Sequence, residues 1–278
     1  VFVSMFPGLQ YKYFFRTFYM SKSLVTLILA IFICFSGMIS AREKAENIKL
    51  LQNPFSATYL KENLKTSKPR LIYDEQIIEE LKIKIESDPV IRNMYKAIRH
   101  DAYAILDEPV IKRIKTSNAM LGVSRELLRR VNLLGLVYLV EKDKKILDRI
   151  NQEVISASEF SDWNPPVYLD TAEISMAVSL ALDWTLDDLP KSTIKKAKKA
   201  LIEKGIYPSW KEHGANMKYA WWIDHYNNWN QVCNGGMIAA SISIAEDDPE
   251  LAAKTIKRSL DGIPTVLMEN YFPEGVCP

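Results

Sequence analysis

The stretch DEQIIEELKIKIESDPVIRNMYKAIRHDAYAIL, residues 74–106, sets the pattern that decides the fold. Its apolar side chains recur at the three- and four-residue spacing of amphipathic helices. Asp74 and Asp88 stand where helix N-caps are expected, and Pro89 follows at a first helical position, where its missing N–H is not needed. We therefore predict two helices joined by a tight corner at Asp88.

The same pattern continues along the chain and no sustained strand alternation interrupts it. A break is expected at residues 141–143. Helix starts are predicted at Ser124, Asp170, Pro190 and Asp248, and Gly205 is predicted to be a helix C-cap. A succession of helices with short links predicts an all-α domain of antiparallel helical hairpins, stacked in two layers as a toroid or a superhelix.

The composition is that of an ordinary globular protein, with 48% hydrophobic and 25% charged residues in 278. The formal charge of +2 includes three basic residues before position 42, where no acid occurs. Removing these three from 36 leaves 33 basic against 34 acidic residues. Nucleic acid is therefore not an expected partner, and the lysine run at residues 191–204 is interpreted as a solvated helix face.

The N-terminal region has the pattern of an export signal. From Met20, Lys22 precedes the apolar run LVTLILAIFICF, and small residues follow up to Ala41. The run is shorter than the ~20 residues that span a bilayer, so we expect a periplasmic or secreted protein without a stable membrane anchor. Cys34 offers a lipoprotein alternative, although the bulky Ile33 before it disfavours this.

This signal divides the chain into four predicted parts. Residues 1–19 are interpreted as a non-native upstream extension and residues 20–41 as a signal peptide. Residues 42–69 form a linker and the start of the mature chain, and residues 70–278 form the helical domain. No cofactor is predicted, and no metal site, because the cysteines lack neighbouring ligands at metal-binding spacing.

The segment WWIDHYNNWNQVCNGG, residues 221–236, is the best candidate for a ligand site. Three Trp, one His, one Tyr, four Asn and one Gln fall within these sixteen residues. Amides donate and accept hydrogen bonds without charge, and aromatic rings offer flat amphipathic faces, so the segment suits a hydroxyl-rich ligand such as a sugar polymer. Each Trp taken singly fits a core position better.

A second stretch has similar residue types. Trp163, Asn164 and Tyr168 surround a Pro-Pro pair, and Glu173 follows in the first turn of a predicted helix. We expect the two stretches to form opposite walls of one cleft. Glu173 could either complement the helix dipole within a capping box or face the ligand.

The order of three segments carries a family resemblance. WNPPVYLDTAEISMAVSLALDW at residues 163–184, YNNWNQVCNGGMIAAS at 226–241 and YFPEGVCP at 271–278 together resemble the N-terminal domain of heparinase II/III-like polysaccharide lyases, which are related to alginate lyases. The resemblance implies an incomplete (α/α) toroid with a long cleft. It also implies β-elimination on an acidic polysaccharide, either heparin/heparan-like or alginate-like, which would be the partner of this protein.

The resemblance implies a role for each candidate residue. Asn228 would grip the uronate carboxylate, with Asn227 as the runner-up and Gln231 as a supporting donor. His225 and Tyr226 are close enough in sequence to contribute to catalysis. The further residues expected to contact substrate are Trp163, Asn164, Glu173, Trp222 and Trp229.

In this family a Pro-Glu-Gly segment precedes the tyrosine that transfers the proton. Here Pro273-Glu274-Gly275 is followed by Val276, Cys277 and Pro278. We interpret residues 272–275 as the turn before that motif, so the tyrosine is expected beyond Pro278. The chain is then an N-terminal fragment, inactive or nearly so by itself.

Two other functions fit parts of the same pattern. A glycoside hydrolase would need two carboxylates ~5 to 9.5 Å apart, for which Asp170 with Glu173, or Asp224 with Glu173, are available. A non-catalytic carbohydrate-binding helical protein would need no further residue.

The expected position of the proton-transferring tyrosine can be checked in the gene. We expect a Tyr codon within about a dozen codons downstream of Pro278, because catalytic geometry requires tight spacing from the preceding turn. Sequencing the coding region past this point provides the test. A window without Tyr would contradict the fragment interpretation.

Overall fold

A computed structural model describes the backbone of residues 53–270 and the side chains of residues 53–266. The predicted extension, signal peptide, Cys34, Cys277 and the turn at 272–275 lie outside this range. The α-helices are α1 (Ala57–Asn63), α2 (Glu75–Ser87), α3 (Pro89–Ala104), α4 (Leu121–Glu141), α5 (Lys144–Glu159), α6 (Tyr168–Trp184), α7 (Lys191–Ala200), α8 (Asn228–Ile244) and α9 (Pro249–Asn270).

Short helical turns complete the architecture. A π-helical turn, Leu201–Ile206, continues α7, and four 3-10 turns lie between it and α8, the last of them Trp221–Asp224. Residues 53–270 contain no strand, so the predicted all-α class is confirmed for this part of the chain. None of its helices is long and apolar enough to span a bilayer.

Several predicted caps are confirmed. The Asp74 carboxylate accepts the N–H of Ile77 at 2.9 Å, and that of Asp88 accepts the N–H of Val90 at 2.8 Å. Asp248 accepts the N–H of Leu251 at the start of α9. Each cap satisfies a backbone donor that has no partner within its helix. The break expected at 141–143 is also present, with Lys142 in the left-handed conformation at the end of α4.

Three predicted helix ends were wrong, because tertiary contacts take the side chains that suggested them. Helix α4 begins at Leu121, and Ser124 lies inside it, where its hydroxyl donates to Glu173 at 2.7 Å. Helix α6 begins at Tyr168, so Asp170 is in its first turn and accepts the Met120 N–H instead.

The third error concerns Gly205, which does not cap a helix. It lies inside the π-helical turn that follows α7. Its carbonyl accepts the Tyr168 hydroxyl at 2.6 Å, and Trp163 and Ser175 lie where a side chain would project. Close packing therefore accounts for this glycine.

The helices pack in neighbouring rows. Helix α4 packs against α6 and α6 against α8, while α5 packs against α7 and α8 against α9. The compact unit begins at Asn53. Helix α1, within the stretch predicted to be a linker, packs on α9, and Asn53 donates to Asp261 of α9 at 2.9 Å. Residues 53–69, in the stretch predicted as a linker and the start of the mature chain, therefore include a helix that packs on the rest of the fold.

A buried ion network joins α4 to α5. Glu153, with no exposed surface, accepts hydrogen bonds from Arg130 and Arg149, both at 2.7 Å. Its other carboxylate oxygen accepts the Ile111 N–H at 3.1 Å. Two cations and a backbone donor thereby compensate for the desolvation of one buried carboxylate.

Helices α6 and α8 approach closely at Gly236. A Cβ added there would lie 2.5 Å from the backbone oxygen of Ala172. The neighbouring Gly235 faces open space, since nothing lies within 4 Å of the position that its Cβ would take. An alanine at Gly236 would therefore report on both close packing and helix propensity, whereas an alanine at Gly235 would report on helix propensity alone.

We expect Gly236→Ala to destabilise the protein by about 2 kcal/mol or more, because backbone must move to relieve the overlap. Gly235→Ala is the matched control and should leave stability unchanged or raise it by up to ~1 kcal/mol through helix propensity. Denaturant unfolding monitored by circular dichroism measures both. Equal effects of the two substitutions would contradict the close approach.

Candidate functional site

The segment at residues 221–236 is divided between a short turn and the start of α8. The 3-10 turn Trp221–Asp224 is followed by an extended link, and α8 begins at Asn228. Asn227 is the N-cap, and its side-chain oxygen accepts the N–H of Trp229 at 3.1 Å. Asn227, the second choice for binding the uronate carboxylate, therefore has a structural role, and its side-chain oxygen is already engaged in a hydrogen bond.

Asn228 and Gln231 lie on the first turn of α8, three residues apart and both exposed. Residues at this spacing are neighbours on a helix surface. The first turn contains no acidic side chain, so the partial positive charge at this helix end is not offset by a carboxylate of α8 itself. The two amides predicted to act together are therefore both available to a ligand.

The other two asparagines of the segment are buried. The Nδ2 atoms of Asn230 and Asn234 donate to the carbonyl of Ile223 at 2.9 and 3.0 Å. Asn230 Nδ2 also donates to the Gly262 carbonyl in α9 at 3.1 Å. These two amides hold the 3-10 turn against α8 and α9, so they support the site without facing a ligand.

An aromatic cluster of Trp221, His225, Tyr226 and Trp229 lies beside the exposed amides. The rings of His225 and Tyr226 stack with centroids 4.3 Å apart, and those of His225 and Trp221 form a T-shaped pair with centroids 4.8 Å apart. The Trp221 and Trp229 rings are 5.0 Å apart. Trp221 and Tyr226 are exposed, and His225 and Trp229 are half-buried. The cluster thus presents ring surface to solvent, as sugar binding requires.

Trp163 and Trp222, predicted to stack on substrate, are core residues. Both are fully buried. The Trp163 indole N–H donates to the Ala157 carbonyl at 2.9 Å, and the Trp222 ring packs on Tyr168 with centroids 4.6 Å apart. Neither ring has a face open to a sugar in this structure, which corrects the stacking role expected for them.

Asn164 is also a structural residue. It adopts the left-handed conformation with φ 60°, is fully buried, and donates to Asp170 and to the Asn118 carbonyl, both at 2.7 Å. These bonds hold the corner before α6. The predicted contact between Asn164 and substrate therefore does not agree with its position.

Glu173 lies mostly buried on α6, where it accepts hydrogen bonds from Ser124 and, at 3.4 Å, from Arg125. Burial and, to a smaller extent, the charge of Glu173 raise the pKa of the Cys233 thiol in α8. The contact with Ser124 links α6 to α4. Because α6 begins at Tyr168, Glu173 lies beyond the first turn, so the predicted helix-dipole or capping-box role does not apply; its observed role is the interhelical contact with Ser124.

The two informative stretches do not face each other across a cleft. Tyr168 packs directly on Trp222, and Ala172 packs on Gly236. The carboxylate pair Asp170 and Glu173 is also unsuited to hydrolysis, because Asp170 is fully buried and bonded to Met120 and Asn164. The exposed part of the site is confined to the start of α8 and the turn before it.

A cationic pocket of about 380 Å³ adjoins this exposed part and was not anticipated. It is formed by the end of the 3-10 turn and by α9. Its lining residues are Ile223, Asp224, Lys254, Lys257, Arg258, Asp261 and Gly262. The sequence feature that could have indicated this pocket is the set of basic residues at helical spacing in KTIKR, residues 254–258.

Within the residues described, no group of three or more His, Cys, Asp or Glu side chains is placed to hold a metal ion. No protein-family model matches this sequence, and no curated protein matches it.

The two kinds of asparagine can be distinguished by mutation. We expect Asn230→Ala to destabilise the protein by about 2 kcal/mol, because it leaves the Gly262 carbonyl without this donor and removes one of two bonds to Ile223. Asn228→Ala should change stability by less than ~0.5 kcal/mol, as exposed substitutions usually do. Thermal or denaturant unfolding of both variants tests this. A large loss of stability in Asn228→Ala would show that its amide is structural.

Proposed function

We propose that this chain forms the substrate-gripping part of a polysaccharide lyase that cleaves a uronic-acid polymer by β-elimination. The observation that supports this most is the exposed pair Asn228 and Gln231 at the positive end of α8, next to the aromatic cluster. Neutral donors and exposed aromatic rings suit an acidic sugar, because the amides can bond its carboxylate and the aromatic rings can stack on the face of the sugar ring.

The chemistry explains why amides are suited to the task. Elimination removes the proton at C5 of a uronate, beside a carboxylate whose negative charge opposes formation of a carbanion. Hydrogen-bond donors on that carboxylate stabilise the charge that develops in the transition state. Asn228 would supply the first donor and Gln231 the second. The dipole of the seventeen-residue α8 adds a favourable potential at the same end.

The proton acceptor in this proposal is a tyrosine outside the described residues, at the position that the family resemblance implies. His225 and Tyr226 are its expected neighbours, and their stacked rings lie at the start of α8. The scaffold we propose is an incomplete (α/α) toroid in an exported protein. The rows α4–α6–α8 and α5–α7 are compatible with such a scaffold.

The decisive experiment expresses the gene product with any residues encoded beyond Pro278 and offers it heparan, chondroitin, hyaluronan and alginate. We expect ultraviolet absorbance from unsaturated uronate ends with at least one polymer. Asn228→Ala should lower the rate at least ~100-fold, as loss of an oxyanion-stabilising donor does. Asn63→Ala is the matched control, since Asn63 is an exposed asparagine in α1, and it should leave the rate unchanged.

Other outcomes would replace the proposal. New reducing ends without ultraviolet absorbance would indicate a hydrolase. Binding without cleavage by the complete gene product would indicate a carbohydrate-binding protein. Full elimination activity in Asn228→Ala would overturn the role assigned to this amide.

A further inference from the structure

Three basic side chains of α9 meet at the cationic pocket beside the aromatic cluster. Lys254, Lys257 and Arg258 are spaced three and four residues apart, which places them on one helix face. Ile223 and Asp224, which lie between Trp221 and His225 of the aromatic cluster, form the other part of the pocket lining. The pocket therefore joins the candidate site through the backbone of the 3-10 turn.

Arg258 is held firmly in place. Two of its guanidinium nitrogens donate to the backbone carbonyl and the hydroxyl of Ser209, each at 2.8 Å. The guanidinium lies over the Trp210 ring, 4.0 Å from its centroid. These contacts fix the plane of the guanidinium and preorganise its remaining donors.

Among the described side chains, no carboxylate lies within ion-pair distance of Arg258. Its Nε is buried without a hydrogen-bond partner within residues 53–266. Burial lowers the pKa of the guanidinium to about 10, although Tyr168 and Glu212 oppose this. A buried cation is costly unless it is paired. An anion that entered the pocket would supply the missing partner.

The carboxylates near the pocket differ in how far they are already paired with other residues. Asp261 accepts the Asn53 amide and pairs with Lys257 at 3.4 Å, and Glu212 pairs with Lys254. Asp224 is an exposed acid of the pocket lining. The pocket thus has three cations against two acids, and Asp261 already has partners.

We propose that Arg258, supported by Lys257, binds a second anionic group of the acidic polymer, either a carboxylate or a sulfate, next to the sugar held by Asn228. This rests on the proposed function for its ligand. Arg258 would make charge-assisted hydrogen bonds to that group, and Lys257 would contribute charge from the pocket rim. The pocket would then select polymers with a charge on more than one sugar.

Binding of defined oligosaccharides tests the proposal. An alginate oligomer presents carboxylates alone, a heparin oligomer adds sulfates, and a dextran oligomer of similar length is neutral. We expect titration calorimetry to detect at least one anionic oligomer and no dextran. Arg258→Gln should weaken anion binding at least roughly tenfold, because charge-assisted bonds are lost. Arg258→Lys should recover only part of this loss, since it keeps the charge without the planar fork.

Asp224→Asn provides a test that unfolding cannot imitate. Asp224 is exposed and has the same sign of charge as the ligand, so its removal should strengthen anion binding about two- to fivefold. An effect of this size is within the range of interaction free energies of surface charge pairs. Lys195→Gln is the control, because Lys195 is an exposed lysine of a separate groove on α7. It should leave binding unchanged. A Lys195→Gln effect as large as that of Arg258→Gln would indicate nonspecific attraction and overturn the proposal, as would weaker binding in Asp224→Asn.

The two proposals can fail separately. Anion binding that depends on Arg258 in a protein without elimination activity would support the pocket and reject the lyase. The lyase would be supported and the pocket rejected by a second result. In it, elimination depends on Asn228, but Arg258→Gln has the native melting temperature and binds the anionic oligomers as well as the unmodified protein does. Binding of neither anionic oligomer would also reject the pocket.

Discussion

The contact between Gly236 of α8 and Ala172 of α6 is the constraint on which the rest of the site depends. The absence of a side chain at Gly236 lets the two backbones meet where a Cβ would fall 2.5 Å from a carbonyl oxygen. At this separation, Tyr168 at the start of α6 reaches Trp222, and the buried rings close the core beneath the 3-10 turn. Asn228 and Gln231 remain on the opposite, solvent-facing side of the first turn of α8. A wider spacing would leave the two large rings short of contact.

Local signals predicted most of the helices. The caps at Asp74, Asp88 and Asp248 form as expected, because each carboxylate meets backbone donors that have no other partner. Ser124 and Asp170 were misread for a common reason, since the groups that they bond, Glu173 and the Met120 N–H, come from distant parts of the chain. Sequence spacing contains no information about such partners, so it cannot distinguish a helix cap from a polar residue that bonds a distant part of the chain.

The position of the exposed surface along the chain could be predicted from sequence. Which of its residues face solvent and which are structural could be predicted less well. Helical periodicity separates Asn228 and Gln231 from Asn230 and Asn234, and the structure exposes the first pair and buries the second. The general preference of Trp for core positions holds for Trp222, whose ring packs on Tyr168 of another helix. The cations of α9 were not predicted to form a site, and basic residues at helical spacing are most often a solvated face. What distinguishes Arg258 is a buried Nε without a hydrogen-bond partner among the described residues, a property that only three-dimensional packing reveals.

The carbonyl of Ile223 is a single atom at which three elements meet. It accepts the amides of Asn230 and Asn234 in α8, and it lies 2.1 Å from the position that a Cβ on Gly262 of α9 would take. The peptide before Asp224 therefore cannot shift without breaking two hydrogen bonds or separating two helices. The surface built on this turn is consequently a rigid template. The spacing between the aromatic cluster and the pocket on α9 is therefore set by the backbone of this turn.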